Sequence, residues 1–319
     1  MADAANGFGD MSERSLSSDG SQGTMELKAR MGLGVSVPWS FMAGRQSNLP
    51  SRLLCRAFGG PDAFLSLLRS SSVASVEFRH WSPDLKLSEI RRGFRLAGDA
   101  KLSLSVHGDV DIRHKVKEIW SSFPWLDACL QHTAVSRESP LFITIHPVIS
   151  SCDRFENWRH TVELISQYCR EIDIHKLPIT LAYENQRAKG NSDPAEQYDS
   201  MVSVLHAVES EHVGLCWDVG HAVANELSGV MSSIPPMEFL KQVVHTHIHD
   251  INPTTGQTHW PLQYGVVPVR RFVRLLNEFR FNGLLNLELS VERFSHMNLH
   301  EAFERSLSEL SNALKETDS

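Results

Sequence analysis

Residues 245–250 read HTHIHD, within the longer run VVHTHI (243–248), and the reading of that run decides how the rest of the chain is read. In an extended strand, side chains two apart share a face. His245, His247 and His249 would then point together, while Thr246, Ile248 and Asp250 point the other way. Three imidazoles on one face are a metal-ligand pattern. The plainer alternative is an edge strand turning polar residues to solvent, and the hexapeptide alone supports either.

Working outward, short apolar or β-branched runs recur at MGLGVSV (31–37), VASVEF (73–78), LSLSVH (102–107), LFITIH (141–146), ITLAYE (179–184), VGLCWD (213–218), VVHTHI (243–248) and LLNLEL (284–289). These predict eight strands. Between them, apolar residues at three- and four-residue spacing predict helices over 52–70, 157–172, 195–210 and 269–281, with a last amphipathic helix over 299–316. Strands alternating with helices over roughly 290 residues have the size of a single-domain α/β fold, a (β/α)8 TIM barrel. Continuous apolar strands suit a parallel sheet covered by helices. A doubly wound open sheet is the main alternative, but the chain contains no G-x-G-x-x-G and no G-x-x-x-x-G-K-[ST], the phosphate-cradling turns of such sheets.

Composition narrows the class. The chain has 319 residues, 41% of them hydrophobic, and a formal net charge of −7, which fits one large domain with a sizeable core. Residues 1–24 are rich in Gly, Ser and small polar residues without periodicity and are expected to be a disordered tail, leaving 25–319 for the barrel. No run reaches the roughly 18 apolar residues of a membrane helix, and no apolar run follows a basic start, so a cytoplasmic protein is expected. Five scattered cysteines without a CxxC pair (Cys55, Cys129, Cys152, Cys169, Cys216) point to reduced thiols. The acidic balance argues against a nucleic-acid partner, since phosphate neutralisation needs clustered Lys and Arg.

The strand ends carry Glu77, His107, His146, Glu184, Asp218, His247 and Glu288. Active sites of barrels lie at the carboxyl ends of the strands. Carboxylates buried together there repel one another unless a cation or protons compensate, and a divalent metal is the economical compensation.

Taken in order, LAYENQ, GLCWDVGHA, HTHIHD with the trailing GQTHWPLQYGVVP, and GLLNLELS resemble the xylose isomerase-like barrel superfamily. That superfamily contains sugar and sugar-phosphate isomerases and epimerases and also the endonuclease IV type of abasic-site nuclease. The resemblance covers residues from about 100 to 292 well and the first two strands loosely. Carried over by position, it implies a metal site of Glu184, Asp218, His247 and Glu288, and acid/base roles for Glu184 and Glu288. His245 is then expected to be a hydrogen-bonded core residue, and His249 or Asp250 to support the ligands.

Three carboxylates and one imidazole make an oxygen-rich site suited to Mn, Co or Mg, and such a site leaves room for two oxygens of a hydroxy-carbonyl substrate. The expected partner is therefore a small sugar or sugar phosphate. Trp39, Trp81 and Trp260 are expected in loops on the same face, where they could stack on a sugar, and Glu77, Arg79, Arg187 and Lys189 could contact the substrate or its phosphate. A competing reading comes from His107, His146, His221 and His259, which match histidines of the nuclease branch. There they help to hold a multinuclear Zn cluster for phosphodiester hydrolysis. One position departs from that branch: Gln257 stands where the nuclease pattern has an aspartate. A dehydratase using the same chemistry and a non-catalytic binding relative complete the alternatives. Tyr264, where relatives often have a Gly-x-Gly turn, is expected to narrow the pocket.

Overall fold

A computed structural model of the chain describes residues 31–81, 83–108, 118–132, 136, 139–190 and 192–317. Residues 1–24, expected to be a disordered tail, lie outside that range. Eight strands follow one another: β1 Gly32–Pro38, β2 Val73–Arg79, β3 Ser103–His107, β4 Leu141–Ile145, β5 Ile179–Glu184, β6 Val213–Asp218, β7 Val243–Ile248 and β8 Leu284–Leu287. Each pairs in parallel with the next, and β1 closes the ring against β8 through Gly32 beside Leu284 and Leu33 beside Leu285. A doubly wound open sheet is thereby excluded. Among the described residues no helix is long and apolar enough to cross a membrane.

Alternation along the strands sends one set of side chains outward and the other inward. In β1 and β2, Val35, Val37, Val76 and Phe78 pack outward under the helices. Ser36 and Glu77 are register neighbours, and Ser105 of β3 follows Glu77. Across the ring, Cys216 lies beside His245, and His247 lies between Asp218 and Asn286. The barrel interior is thus polar around Glu77 and the histidines, where barrels of this kind are usually filled with branched aliphatics. Such an interior is stable only because the polar atoms find partners.

Helices form where an apolar stripe can face the sheet. Val269–Glu278 buries Val269, Phe272, Val273 and Leu276, the i, i+3, i+4, i+7 set, and packs beside Leu299–Thr317, which buries Leu299, Ala302, Phe303, Leu307 and Leu310. Arg154–His175 starts at Asp153, whose carboxylate accepts from the Glu156 amide at 2.9 Å.

Three segments differ from the sequence reading. The helix expected over 52–70 is two helices, Leu49–Phe58 and Pro61–Ser70. Gly59, at φ +80°, ends the first with its N–H on the Cys55 carbonyl, and Pro61 opens the second. The segment 195–210 opens as a short 3-10 turn, Pro194–Glu196, before the helix Tyr198–Val208, because Gln197 is extended between them. Strands β4 and β8 stop short of His146 and Glu288. The Glu288 amide still bonds to the Ile248 carbonyl, but Ser290 bonds to His259, so the chain has already left the sheet.

Candidate metal centre

Four strand ends deliver four side chains to one point. Glu184 ends β5, Asp218 ends β6, His247 lies near the end of β7, and Glu288 follows β8. All four are buried, and a set of their ligand atoms lies within 4.8 Å of one another. The Nδ1 of His247 is 2.6 Å from Glu184 Oε1 and 3.3 Å from Glu288 Oε2, while its Nε2 faces Glu77 at 3.2 Å.

Glu77 explains how that ring is held. It is fully buried beneath His247 and accepts from Ser36 Oγ at 2.7 Å, Asn286 Nδ2 at 3.0 Å and His245 Nε2 at 3.0 Å. A carboxylate receiving one ring N–H leaves the other nitrogen of His247 free for a cation. The sequence reading of Glu77 as a possible substrate contact is corrected here: it is sealed beneath the floor and does not line the cavity. His245 is the buried hydrogen-bonded residue expected, with its ring stacked on Phe142 at 5.9 Å.

The other candidate ligands are fixed in the same way, by neighbours that leave them little freedom. Asp218 caps the helix Val219–Leu227 by accepting from the His221 amide at 2.7 Å, and it receives His249 Nε2 at 3.2 Å. Asn185 brackets its backbone, accepting from the Asp218 amide and donating to the Asp218 carbonyl. Glu184 is approached by His146 Nε2 at 2.6 Å, Gln186 Nε2 at 3.0 Å and His107 Nε2 at 3.6 Å. Glu288 Oε1 forms an ion pair with Arg79 Nη1 at 2.8 Å. Burial alone would raise both glutamates; His247, with His107 and His146, holds Glu184 well below the usual range, and Arg79, His247 and His259 do the same for Glu288.

Asp218, His221, His249 and His259 form a second close group. The His249 and His259 rings stack at 4.2 Å. The His249 Nδ1 accepts the His259 amide at 3.0 Å, so its Nε2 donates to Asp218. His259 Nδ1 faces the Arg293 guanidinium at 3.2 Å. Burial, with His249 beside it, pushes the His259 imidazole down to about 3. The neutral ring accepts from Arg293 at Nδ1 and turns Nε2–H toward Glu288, 3.4 Å away. Asp250 has a different duty from the ligand support expected of it: it accepts the amides of Ile251, Tyr264, Gly265 and Val267, anchoring the loop after β7.

A cavity of about 340 Å³ opens above the floor. Of the expected residues it is lined by Arg79, His107, His146, Glu184, Arg187, Lys189, His221, His259 and Glu288. The tryptophans are not among its described lining, a correction to their expected role. Trp39 is 1% exposed and meets Phe78, Trp81 and Phe94 edge-on, so it is taken up by packing, and Trp81 is half-buried against it. Trp260 is buried against Tyr264 and Phe294, with its backbone paired to Asp250. Tyr264 itself is 45% exposed and lies outside the lining, so it does not narrow the cavity. Gln186, Thr258 and Arg293 line it without having been singled out. Their signal was position alone, each lying shortly after a strand end or beside His259 on the loop face.

The family model of xylose isomerase-like TIM barrels matches residues 80–313. The chain belongs to this family. Solved structures sharing the barrel include the IOLI protein with a bound zinc atom (14% identity, 90% of this chain and 99% of that chain, TM-score 0.61). They also include D-allulose 3-epimerase from Methylomonas sp. in complex with D-allulose (11% identity, 89% and 98%, TM-score 0.54). Endonuclease IV from Thermus thermophilus shares it too (15% identity, 89% and 99%, TM-score 0.51). At these identities the likeness is one of fold. No curated protein sequence matches the chain.

The residues of this xylose isomerase-like barrel fit a divalent cation. Three buried carboxylates and the His247 Nδ1 converge, and the buried Glu288 Oε2 has only long contacts, with His247 at 3.3 Å and His259 at 3.4 Å. A positive charge there offsets negative charges that Arg79 alone does not balance. The oxygen-rich donor set suits Mg, Mn, Co or Zn.

Proposed function

We infer that this chain is a divalent-metal-dependent isomerase or epimerase acting on a hydroxy-carbonyl sugar. The observation that carries the reading is that two ionised glutamates, Glu184 and Glu288, both belong to the convergent donor set and both reach the cavity floor. The bound cation would polarise the substrate's carbonyl and hydroxyl oxygens and so acidify the neighbouring C–H.

The chain's own groups then move the proton. Glu184 and Glu288 come from strands three apart in the ring, so one carboxylate can take the proton from carbon while the other returns one. Arg79 holds Glu288 in place through its ion pair, and His146 and Gln186 do so for Glu184.

A second reading, zinc-dependent phosphodiester hydrolysis, has the gathering of His107, His146, His221 and His259 in its favour. Two contacts weigh against it. His249 Nε2 is committed to Asp218, and Arg293 occupies the side of His259 on which a metal-bound ring would carry a donated N–H. An amide, Gln257, also replaces the carboxylate of the nuclease pattern.

Metal content by elemental mass spectrometry and exchange of substrate C–H for deuterium over a panel of ketoses test the reading together. We expect about one ion per chain and exchange that falls by roughly 10²–10⁴-fold in Glu288→Gln and in Glu184→Gln. Two or three zinc ions per chain with cleavage of a phosphodiester, and no exchange on any ketose, would replace the first reading with the second.

A further inference from the structure

Above the acidic floor the cavity wall changes sign. Arg79 ends β2, Arg187 and Lys189 lie just after β5, and Arg293 lies after β8, so three separate strand ends supply four cations to one cavity. Arg79 is 7% exposed. One end of its guanidinium is committed to Glu288, while its buried Nε has no hydrogen-bond partner among the described residues. Arg293 bonds to the Thr258 carbonyl at 2.6 Å and to His259, and no carboxylate pairs with it among the described residues. No described residue forms an ion pair with the side chain of Arg187 or Lys189. Burial depresses Arg293, Glu292 and Glu288 act against it, and Arg79 and Arg187 are close enough to add to the depression. Arg79 is held by Glu288, Glu292 and Glu288 act on Arg293, and Lys189 lies near Asp193, yet four cations facing one half-enclosed space form a wall of one sign that an anion can join.

We propose that this upper wall is an oxyanion subsite, and that the substrate is a sugar bearing a terminal phosphate monoester or carboxylate. Arg187, Lys189 and Arg293 grip that group while the hydroxy-carbonyl end lies over Glu184 and Glu288. This rests on the isomerase reading for the reacting end and adds the substrate's charge. The cavity volume of about 340 Å³ suits a small metabolite. The guanidinium planes offer bidentate donors to either oxyanion, and Lys189 adds a point charge at the outer edge. A neutral ketose would leave these cations as mutually repelling as before.

Calorimetric titration of the full chain with glycerol 3-phosphate, glycerate and glycerol tests the subsite without requiring turnover. At least one anion should bind about tenfold or more tightly than glycerol, and that preference should shrink as ionic strength rises. Whichever anion binds more tightly identifies the group the wall accepts. In Arg187→Gln/Lys189→Gln the preference should disappear while metal content stays as in the unmodified chain. Equal binding of all three probes overturns the proposal. So does a preference that survives in the double variant, because the anion would then be sitting on the floor. Deuterium exchange separates this from the isomerase reading: exchange on neutral ketoses with no anion preference sinks the subsite alone, whereas an Arg187-dependent preference with no exchange on any ketose sinks the reaction alone.

Discussion

His245, His247 and His249 share one stretch of chain and have three different duties. His245 supports Glu77 from below, His247 offers Nδ1 to the centre, and His249 steadies Asp218. The last of these depends on a glycine. A Cβ on Gly220 would lie 1.9 Å from His249 Cε1 and 2.2 Å from Nδ1, so the ring packs directly on the helix backbone. Gly220→Ala would gain about 1 kcal/mol of helix propensity but must displace the ring. We expect metal affinity to fall by about tenfold or more, read by competition with a chelator; unchanged affinity would remove His249 from the support of Asp218. Asp193 offers a separate test. Burial raises its carboxyl to about 6, against the pull of the Ala195 amide. The fold therefore binds that proton more tightly than the unfolded chain, and stability is lost as pH rises from about 4 to about 6. Asp193→Asn should flatten that slope by about 1–2 kcal/mol in denaturation curves taken across the window.

Among the elements, every strand was legible because a parallel strand buried on both faces leaves a largely apolar run, and seven of the eight carried an acid or imidazole at or near the loop face. Helix boundaries were less so. Gly59, Gly60 and Pro61 interrupt an unbroken three- and four-residue spacing, and the interruption is written in backbone conformation, with φ +80° and +139° at the two glycines. The candidate ligands were legible as strand ends, whereas the tryptophans misled because sequence gives a residue's loop but not its neighbours. Trp39 is surrounded by rings drawn from β2 and from the helix Leu87–Asp99. Arg293 escaped notice because it lies on a short 3-10 turn, Val291–Phe294, with no periodicity to mark it. The helix Val269–Glu278 carries its own prediction. Phe272 is buried against Trp217, edge-on at 5.3 Å. Phe272→Ala should cost about 3–5 kcal/mol in urea unfolding; a loss below about 1 kcal/mol would mean the helix is not held by this contact.

For the molecule as a whole, the buried acids set a term that packing cannot supply. Glu77, Glu184, Asp218 and Glu288 are all withdrawn from water, and Arg79 is the one guanidinium in contact with them among the described residues. A cation bound to the folded chain and not to the unfolded one stabilises it by about 2.7 kcal/mol when present at a hundred times its dissociation constant. Adding a chelator should therefore lower Tm by a few degrees, and re-adding the cation should restore it; a Tm indifferent to both would mean the four side chains hold no ion. The closure of β1 on β8 has a further consequence, for synthesis. Because the first strand finds its second neighbour only in residues 284–287, and Glu288 comes immediately after them, a nascent chain still lacking that segment has an open sheet and an incomplete donor set. The four-residue cluster is thus completed last, and a prematurely terminated product should show none of the cation binding expected of the full chain.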